Sequence, residues 1–450
     1  MLSEQRFILR HAFRCLLVGL LYLLYRFGSD FVALRRFLLE DESLHRWCLA
    51  SALFLTALSV LLWPFMFRPL DVRKKLEDML DVDVLGRRHP KGEIRTNKMR
   101  GKTPPPFPNG WFKLLDSFQL RKGEVKNVEA FGVNLAVFRA DDDEGKVSIL
   151  DAYCPHLGAN LAGGKVVGDC LECPFHGWKF DGEGHCVEVP YAPKKAIPEA
   201  AKTLSWPCSE VNGAIFVWYH ADDAPPEWQV PVIPELKAGS PSSWVYHARA
   251  EHEVNTHIQD IPENVADYTH LDVLHIPFMI PGLGLDKLIN HKWELEWRPG
   301  EAPDVHLAYV DIKPYVTLKG WKVPGSQLHV KATQVGPGII HLDFMTMFGR
   351  LVVIQTPTPI NEQLLIVKHA VFAEPKVPRF FAKISLKGIL VQFERDIPIW
   401  NNKTFRHKPV LVLNDGPIAK FRRWFSHFYS ASSDDPAKRK GSSARVSLDW

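Results

Sequence analysis

Apolar residues follow three rhythms along this chain, and each predicts a different kind of element. From Trp47 to Phe67 the stretch WCLASALFLTALSVLLWPFMF carries no charge for 21 residues. As a helix it spans roughly 31 Å against a bilayer core of about 30 Å, and Trp47 and Trp63 stand near its ends, where interfacial aromatics sit. This predicts a transmembrane helix at about 47–67. An earlier stretch, CLLVGLLYLLY (Cys15 to Tyr25), is apolar for only 11 residues and follows Arg10 and Arg14. It reads as a short second span, an interfacial helix or the core of a signal sequence without an evident cleavage site.

The second rhythm runs from Trp111 to Tyr219: short runs such as VEAFGVNLAVF, VSILDAY and GAIFVWY, separated by Gly, Asp and Asn turns. These predict the strands of a small all-β domain over 111–221. The third is mixed. Helical signals at 264–275 and 380–402 alternate with strand-like runs such as GIIHLDFMTMFG and QLLIVKHAVFAE, so residues 239–429 read as an α+β domain. GPIAKFRRWFSHFY closes it as a basic amphipathic helix that either lies on a lipid surface or packs with its charged face in water. Between these blocks, 76–110 (ending in the proline-rich KTPPPFPNGW) and 222–238 read as linkers, 1–75 as a membrane anchor and 430–450 as a disordered tail.

Composition adds limits. A formal net charge of +4 on 450 residues is too small to argue for a nucleic-acid partner. Seven unevenly spaced cysteines do not resemble a secreted disulfide framework. The basic residues after the apolar run (Arg68, Arg73, Lys74, Lys75, Arg87, Arg88, Lys91) outnumber those before it (Arg35, Arg36, Arg46), which orients the C-terminal bulk to the cytosol. The expected location is a membrane, with the endoplasmic reticulum the expected compartment.

The chemistry is concentrated in CPHLGANLAGGKVVGDCLECPFHGW, residues 154–178, where Cys154, His156, Cys173 and His176 are spaced as two pairs. Zinc accepts two thiolates and two imidazoles, and so does a Rieske [2Fe-2S] cluster, in which two Cys hold one iron and two His the other. A zinc finger usually pairs Cys with Cys and His with His; here each loop supplies one of each, so each loop can reach both irons. Cys170, which makes a C-x-x-C pair with Cys173, is then a bystander. Further on, Asp267, His270 and His275 lie in the spacing D-x-x-H-x-x-x-x-H. Two imidazoles and one carboxylate make the facial triad of non-haem Fe(II), which leaves positions open for O2. Because 275 is five residues beyond 270, a kink or a helix end must bring both imidazoles to one ion.

CPHLGA and CPFHGW resemble the motifs of Rieske-type non-haem iron oxygenases. The respiratory Rieske proteins carry a loop-clamping disulfide where this chain has Ala159 and Phe175, and a serine where it has Trp178. Fewer hydrogen bonds to the sulfurs imply a low-potential cluster. With the apolar run, ENVADYTHLDVLH, FERDIPIWNNK and DGPIAKFRRWFSHFY, the chain is most similar to the animal Neverland-type cholesterol 7-desaturases, over about Trp111 to Tyr429.

That resemblance implies a helix-grip catalytic domain, a mononuclear Fe held by His270, His275 and Asp396, with Glu394 the competing third ligand, and Asp267 as an inter-subunit electron relay to His176 in a homotrimer. It further implies cholesterol and O2 as substrates, NAD(P)H acting through a separate reductase (no G-x-G-x-x-G is present), and removal of hydrogen from C7 and C8. His252 and His257 fit no triad spacing and read as ordinary. The rival expectations are a sterol monooxygenase of the same family and a membrane-tethered Rieske electron carrier.

Overall fold

The computed structural model describes residues 51, 54–57, 68–79, 103–237, 243–275 and 288–435. The chain divides into two compact units, Met1–Arg68 and Pro69–Trp450. Among the described residues no helix is long and apolar enough to cross a membrane. The expected span at 47–67 and the apolar stretch at 15–25 lie almost wholly outside them.

The second unit opens on strand β1 (Leu70–Lys74), inside what the sequence reads as anchor. Its pattern LDVRK alternates: Leu70 and Val72 pack into a core with Leu386 and Leu390, while Asp71 turns to the other face and meets Arg249. Next comes the β domain. β2 (Gly110–Asp116) pairs with β11 (Ala214–Tyr219), which pairs with β10 (Cys208–Val211). β3 (Val125–Ala130), β4 (Val133–Arg139) and β5 (Val147–Asp151) form a meander, and the short β6 (Lys165–Val167), β7 (Cys170–Glu172), β8 (Lys179–Phe180) and β9 (Cys186–Glu188) form a third sheet. The two Cys/His loops lie at its edge, one between β5 and β6, the other between β7 and β8.

The α+β block is built on one large sheet. β12 (Val245–Asn255), β13 (Ile289–Pro299), β14 (Leu307–Leu318), β15 (Trp321–Lys322), β16 (His329–Val335), β17 (Ile339–Thr346), β18 (Gly349–Pro359) and β19 (Leu364–Ala373) join β1 in the order β1-β12-β19-β18-β17-β16-β14-β13, with β15 on β14. Every pairing is antiparallel except β1 on β12. Helix α1 (Tyr268–Leu274) follows β12, the long α2 (Arg379–Asn402) lies over β12 and β19, and α3 (Ile418–Ser426) closes the domain. The alternation of α2 explains its seat: Ala382, Leu386, Leu390, Phe393 and Ile397 recur three or four residues apart and are buried against the sheet.

Three expected boundaries change. Residues 103–110 are no free linker: Phe107 is buried, and the Pro105 carbonyl accepts from His257 Nε2 at 3.1 Å. Residues 222–237 are likewise packed. Trp228 lies edge-on to Trp218 and stacks on His306, and its carbonyl accepts from Trp111 Nε1 at 2.7 Å, so this segment is the joint between the β and α+β blocks. Prolines disfavour helix, not packing. The tail assigned from 430 is folded at its start, where Ser433 is buried and Ser430 donates its N–H to Ser433 Oγ at 2.9 Å. In α3 the packing reading holds, with Phe421, Trp424 and Phe425 in the core.

One core group ties stability to pH. His369 on β19 is fully buried against Phe393, with neither ring nitrogen hydrogen-bonded. Burial holds its imidazole far below the ordinary value of 6.5, and burial likewise pushes His247 and His341 down to about 4. In the unfolded chain these rings take up protons below about 6.5, so the unfolded state binds more protons there and stability falls as the pH drops. Thermal melts are expected to decline as the pH falls from about 6.5 toward about 4, with His369→Phe making the decline shallower; an unchanged acid slope would disprove it.

Candidate metal centres

Each Cys/His loop is built the same way. Gly158 N–H donates to the Cys154 carbonyl at 2.9 Å and Gly177 N–H to the Cys173 carbonyl at 3.1 Å, closing turns in which both glycines take positive φ (75° and 73°). The loops bring the thiols of Cys154 and Cys173 together in a buried spot and set the rings of His156 and His176 4.7 Å apart. Trp178 stacks on His156 at 4.6 Å with 6° between planes, and its Nε1 donates to the Tyr191 hydroxyl at 2.8 Å. His156 Nδ1 is buried without a partner, as a nitrogen kept for a metal would be. Burial pushes the Cys154 thiol up to about 11 although the N–H groups of His156 and Leu157 favour the thiolate, so loading a cluster must displace the proton.

Cys170 stays apart on β7. Its Sγ donates to Asp169 Oδ1 at 3.2 Å, and burial with that carboxylate pushes it up to about 12, an unreactive thiol. Gly164 holds the two loops at their distance, since a Cβ there would stand 1.9 Å from the Glu172 carbonyl oxygen. Gly164→Ala is expected to abolish the visible Rieske absorption of the purified protein; full absorption would refute the fit.

The second centre forms where α1 ends. Asp267 is the N-cap of α1 and not part of the helix, while His275 is its C-cap with φ −103° and ψ 2°, so the helix end, not a kink, turns its ring back toward His270. The two rings lie 5.1 Å apart at 85°. Asp396 reaches in from α2, its Oδ1 3.0 Å from His275 Nε2. One ligand atom from each of His270, His275 and Asp396 lies within 4.8 Å of the others, the sole group of this kind among the described residues. The outer nitrogens are spoken for: His275 Nδ1–H donates to Gln392 Oε1 at 2.7 Å, and His270 Nδ1–H to the Asp267 carbonyl at 2.5 Å, which leaves both Nε2 atoms for an ion. Burial lowers the pKa of His270, against the pull of Asp396, so its ring is neutral and fit to ligate. Two imidazoles, one carboxylate and no thiolate suit non-haem Fe(II).

Residues 110–205 match the Rieske [2Fe-2S] domain and residues 217–429 the 3-ketosteroid 9alpha-hydroxylase C-terminal domain. A cholesterol 7-desaturase of Xenopus laevis is 44% identical over 82% of this chain and 83% of its own length. The chain belongs to the cholesterol 7-desaturase family of Rieske oxygenases. A more distant relative is the probable 3-ketosteroid-9-alpha-monooxygenase oxygenase component of Rhodococcus rhodochrous, 30% identical over 75% of this chain and 83% of that protein. Among solved structures, NdmA of Pseudomonas putida CBB5 shares the fold, with a TM-score of 0.52 at 19% identity over 70% of this chain and 88% of its own.

In this family member the remaining site candidates separate cleanly. Glu394, the competing ligand, faces away from the centre and is held by Lys74 Nζ at 2.7 Å and His252 Nε2 at 3.1 Å. His252 and His257 serve packing and hydrogen bonding. The Asp267 carboxylate caps the His270 N–H at 3.3 Å and stands 3.9 Å from His270 Nδ1, so its backbone carbonyl, not its side chain, orients the imidazole. Gln392 went unread in the sequence. Its position one helical turn before Asp396 was the available signal.

Proposed function

We propose that this protein is a membrane-anchored cholesterol 7-desaturase, and that the observation carrying this reading is the convergence of His270, His275 and Asp396 in a chain so close to desaturases of that name. The balanced reaction is cholesterol + O2 + NAD(P)H + H+ giving 7-dehydrocholesterol + NAD(P)+ + two waters, with the hydride equivalents delivered by a separate reductase. When bound, a Rieske cluster supplies single electrons and a facial-triad iron supplies O2 activation.

The chain's own residues do the holding. Cys154, Cys173, His156 and His176 would hold the cluster on this reading, and His270, His275 and Asp396 would hold the mononuclear iron. Gln392 and the Asp267 carbonyl keep both imidazoles in the ligating tautomer. On the sheet face that α2 covers, strands beyond its reach leave Leu295, Ile312 and Leu342 half-buried, an apolar surface suited to a sterol. The Asp267 side chain, part-exposed, bridges to the partner subunit's His176 in a homotrimer. The apolar run at 47–67 anchors the chain in the endoplasmic reticulum membrane with the catalytic blocks cytosolic, so that a nearly insoluble substrate enters from the bilayer. The sheet-and-helix arrangement is of helix-grip type.

The test is product analysis of membranes given cholesterol, O2, NAD(P)H and a reductase system: a 5,7-diene is expected. A hydroxylated sterol without diene would favour the second reading, a steroid monooxygenase, which the match of residues 217–429 to a steroid hydroxylase domain keeps in view.

A further inference from the structure

The strand β1 and the carboxylate of Glu394 have no part in the chemistry above, yet they are joined. Lys74, the last residue of β1, stands in register with His252 on β12. Their side chains grip the two oxygens of Glu394: Lys74 Nζ lies 2.7 Å from Oε2, and His252 Nε2 lies 3.1 Å from Oε1. His252 is fully buried, so this side of the grip is shielded from water. β1 is itself held from its other face, where Asp71 Oδ1 accepts from Arg249 Nε at 2.9 Å and Arg249 Nη1 donates to Asp116 Oδ2 at 2.7 Å, reaching the β domain.

Glu394 sits two residues before Asp396 on α2. Successive residues turn by about 100° around a helix, so the two carboxylates point to nearly opposite sides of the axis. A roll of α2 that released Glu394 would swing Asp396 by the same angle. The backbone alone resists this poorly, because Pro398 lies inside α2. It has no N–H to give the carbonyl four residues back, which is that of Glu394, and its ring crowds that carbonyl. The helix is therefore weakest along the stretch that carries Asp396, and there the side-chain grip acts.

We propose that Lys74 and His252 are positioning residues for the mononuclear metal: by clamping Glu394 between β1 and β12 they fix the roll of α2 and with it the place of Asp396. The inference rests on the reading of Asp396 as a metal ligand. It also assigns β1, the strand that follows the first unit of the chain, a role in the catalytic centre.

The experiment is Fe(II) titration of the full-length protein, with iron counted per chain and the cluster followed by its visible absorption. Wild type is expected to bind one iron beyond the two of the cluster. Lys74→Met and Glu394→Gln should each weaken binding of that extra iron by about 10- to 100-fold, the scale of lost supporting contacts around metal ligands, with cluster absorption retained. Lys74→Arg, which keeps the charge, should stay near wild type. Wild-type Fe(II) affinity in Lys74→Met and Glu394→Gln would overturn the clamp while leaving Asp396 as a ligand. Loss of cluster absorption together with the extra iron in both variants would also overturn it, marking the contact as general to the fold. A wild type that binds no iron beyond the cluster would instead defeat the reading of the triad itself.

Discussion

Asp396→Ala is expected to yield a folded protein that keeps its Rieske absorption, lacks the mononuclear iron and turns over sterol more than about 100-fold more slowly. The magnitude follows from comparison: even partners that only orient a metal ligand are worth about 10- to 100-fold. On the triad reading Asp396 is one of three protein ligands, and its direct removal costs more. The carboxylate also stands 3.0 Å from His275 Nε2, so its loss leaves that buried imidazole with Gln392 alone. The separation of signals is the useful part, because β5 to β8 carry the cluster loops and α2 is remote from them in sequence. A membrane-tethered electron carrier would be indifferent to this substitution. Wild-type turnover in Asp396→Ala, measured with saturating reductase, would remove the oxygenase reading.

Asp267→Asn is expected to retain both metal centres and lose about 10- to 100-fold in kcat, with little change in KM. Asparagine is as good an N-cap as aspartate, so the bond to the His270 N–H and the start of α1 survive. The Asp267 carbonyl, which orients His270, is untouched by the substitution. What disappears is the negative charge of the side chain, the feature that joins His270 to the partner subunit's His176 in the trimeric reading. A kcat equal to wild type would confine Asp267 to capping.

The turns of the two Cys/His loops were the most legible part of the chain, because the candidate ligands and turn glycines are contiguous in each and the turns are closed by local bonds. His270 and His275 were legible as a pair, but the way they meet was not: spacing demands a bend, and only the fold shows that it is the helix terminus. Asp396 and Glu394 look alike in sequence. They are told apart by what faces them, and Lys74 and His252 come from strands far away along the chain.

The signal of β1 was faint, since the alternation in LDVRK is only a few residues long and its parallel partner strand lies some 178 residues later. The same limit hid the ion pairs of Lys113, Asp116 and Arg249, which are buried where the two blocks meet and read in sequence as surface charge. Amphipathic spacing in α3 could not say whether its aromatic face met lipid or core, as either apolar phase accepts it.

Cholesterol carrying deuterium at C7 and C8, incubated with the full-length protein, a reductase, NAD(P)H and 18O2, tests the central claim most directly. Desaturation predicts a 5,7-diene sterol that has lost one label from each carbon and contains no 18O, all of which leaves as water. A sterol that keeps its C8 deuterium and carries 18O would contradict it and make the protein a hydroxylase.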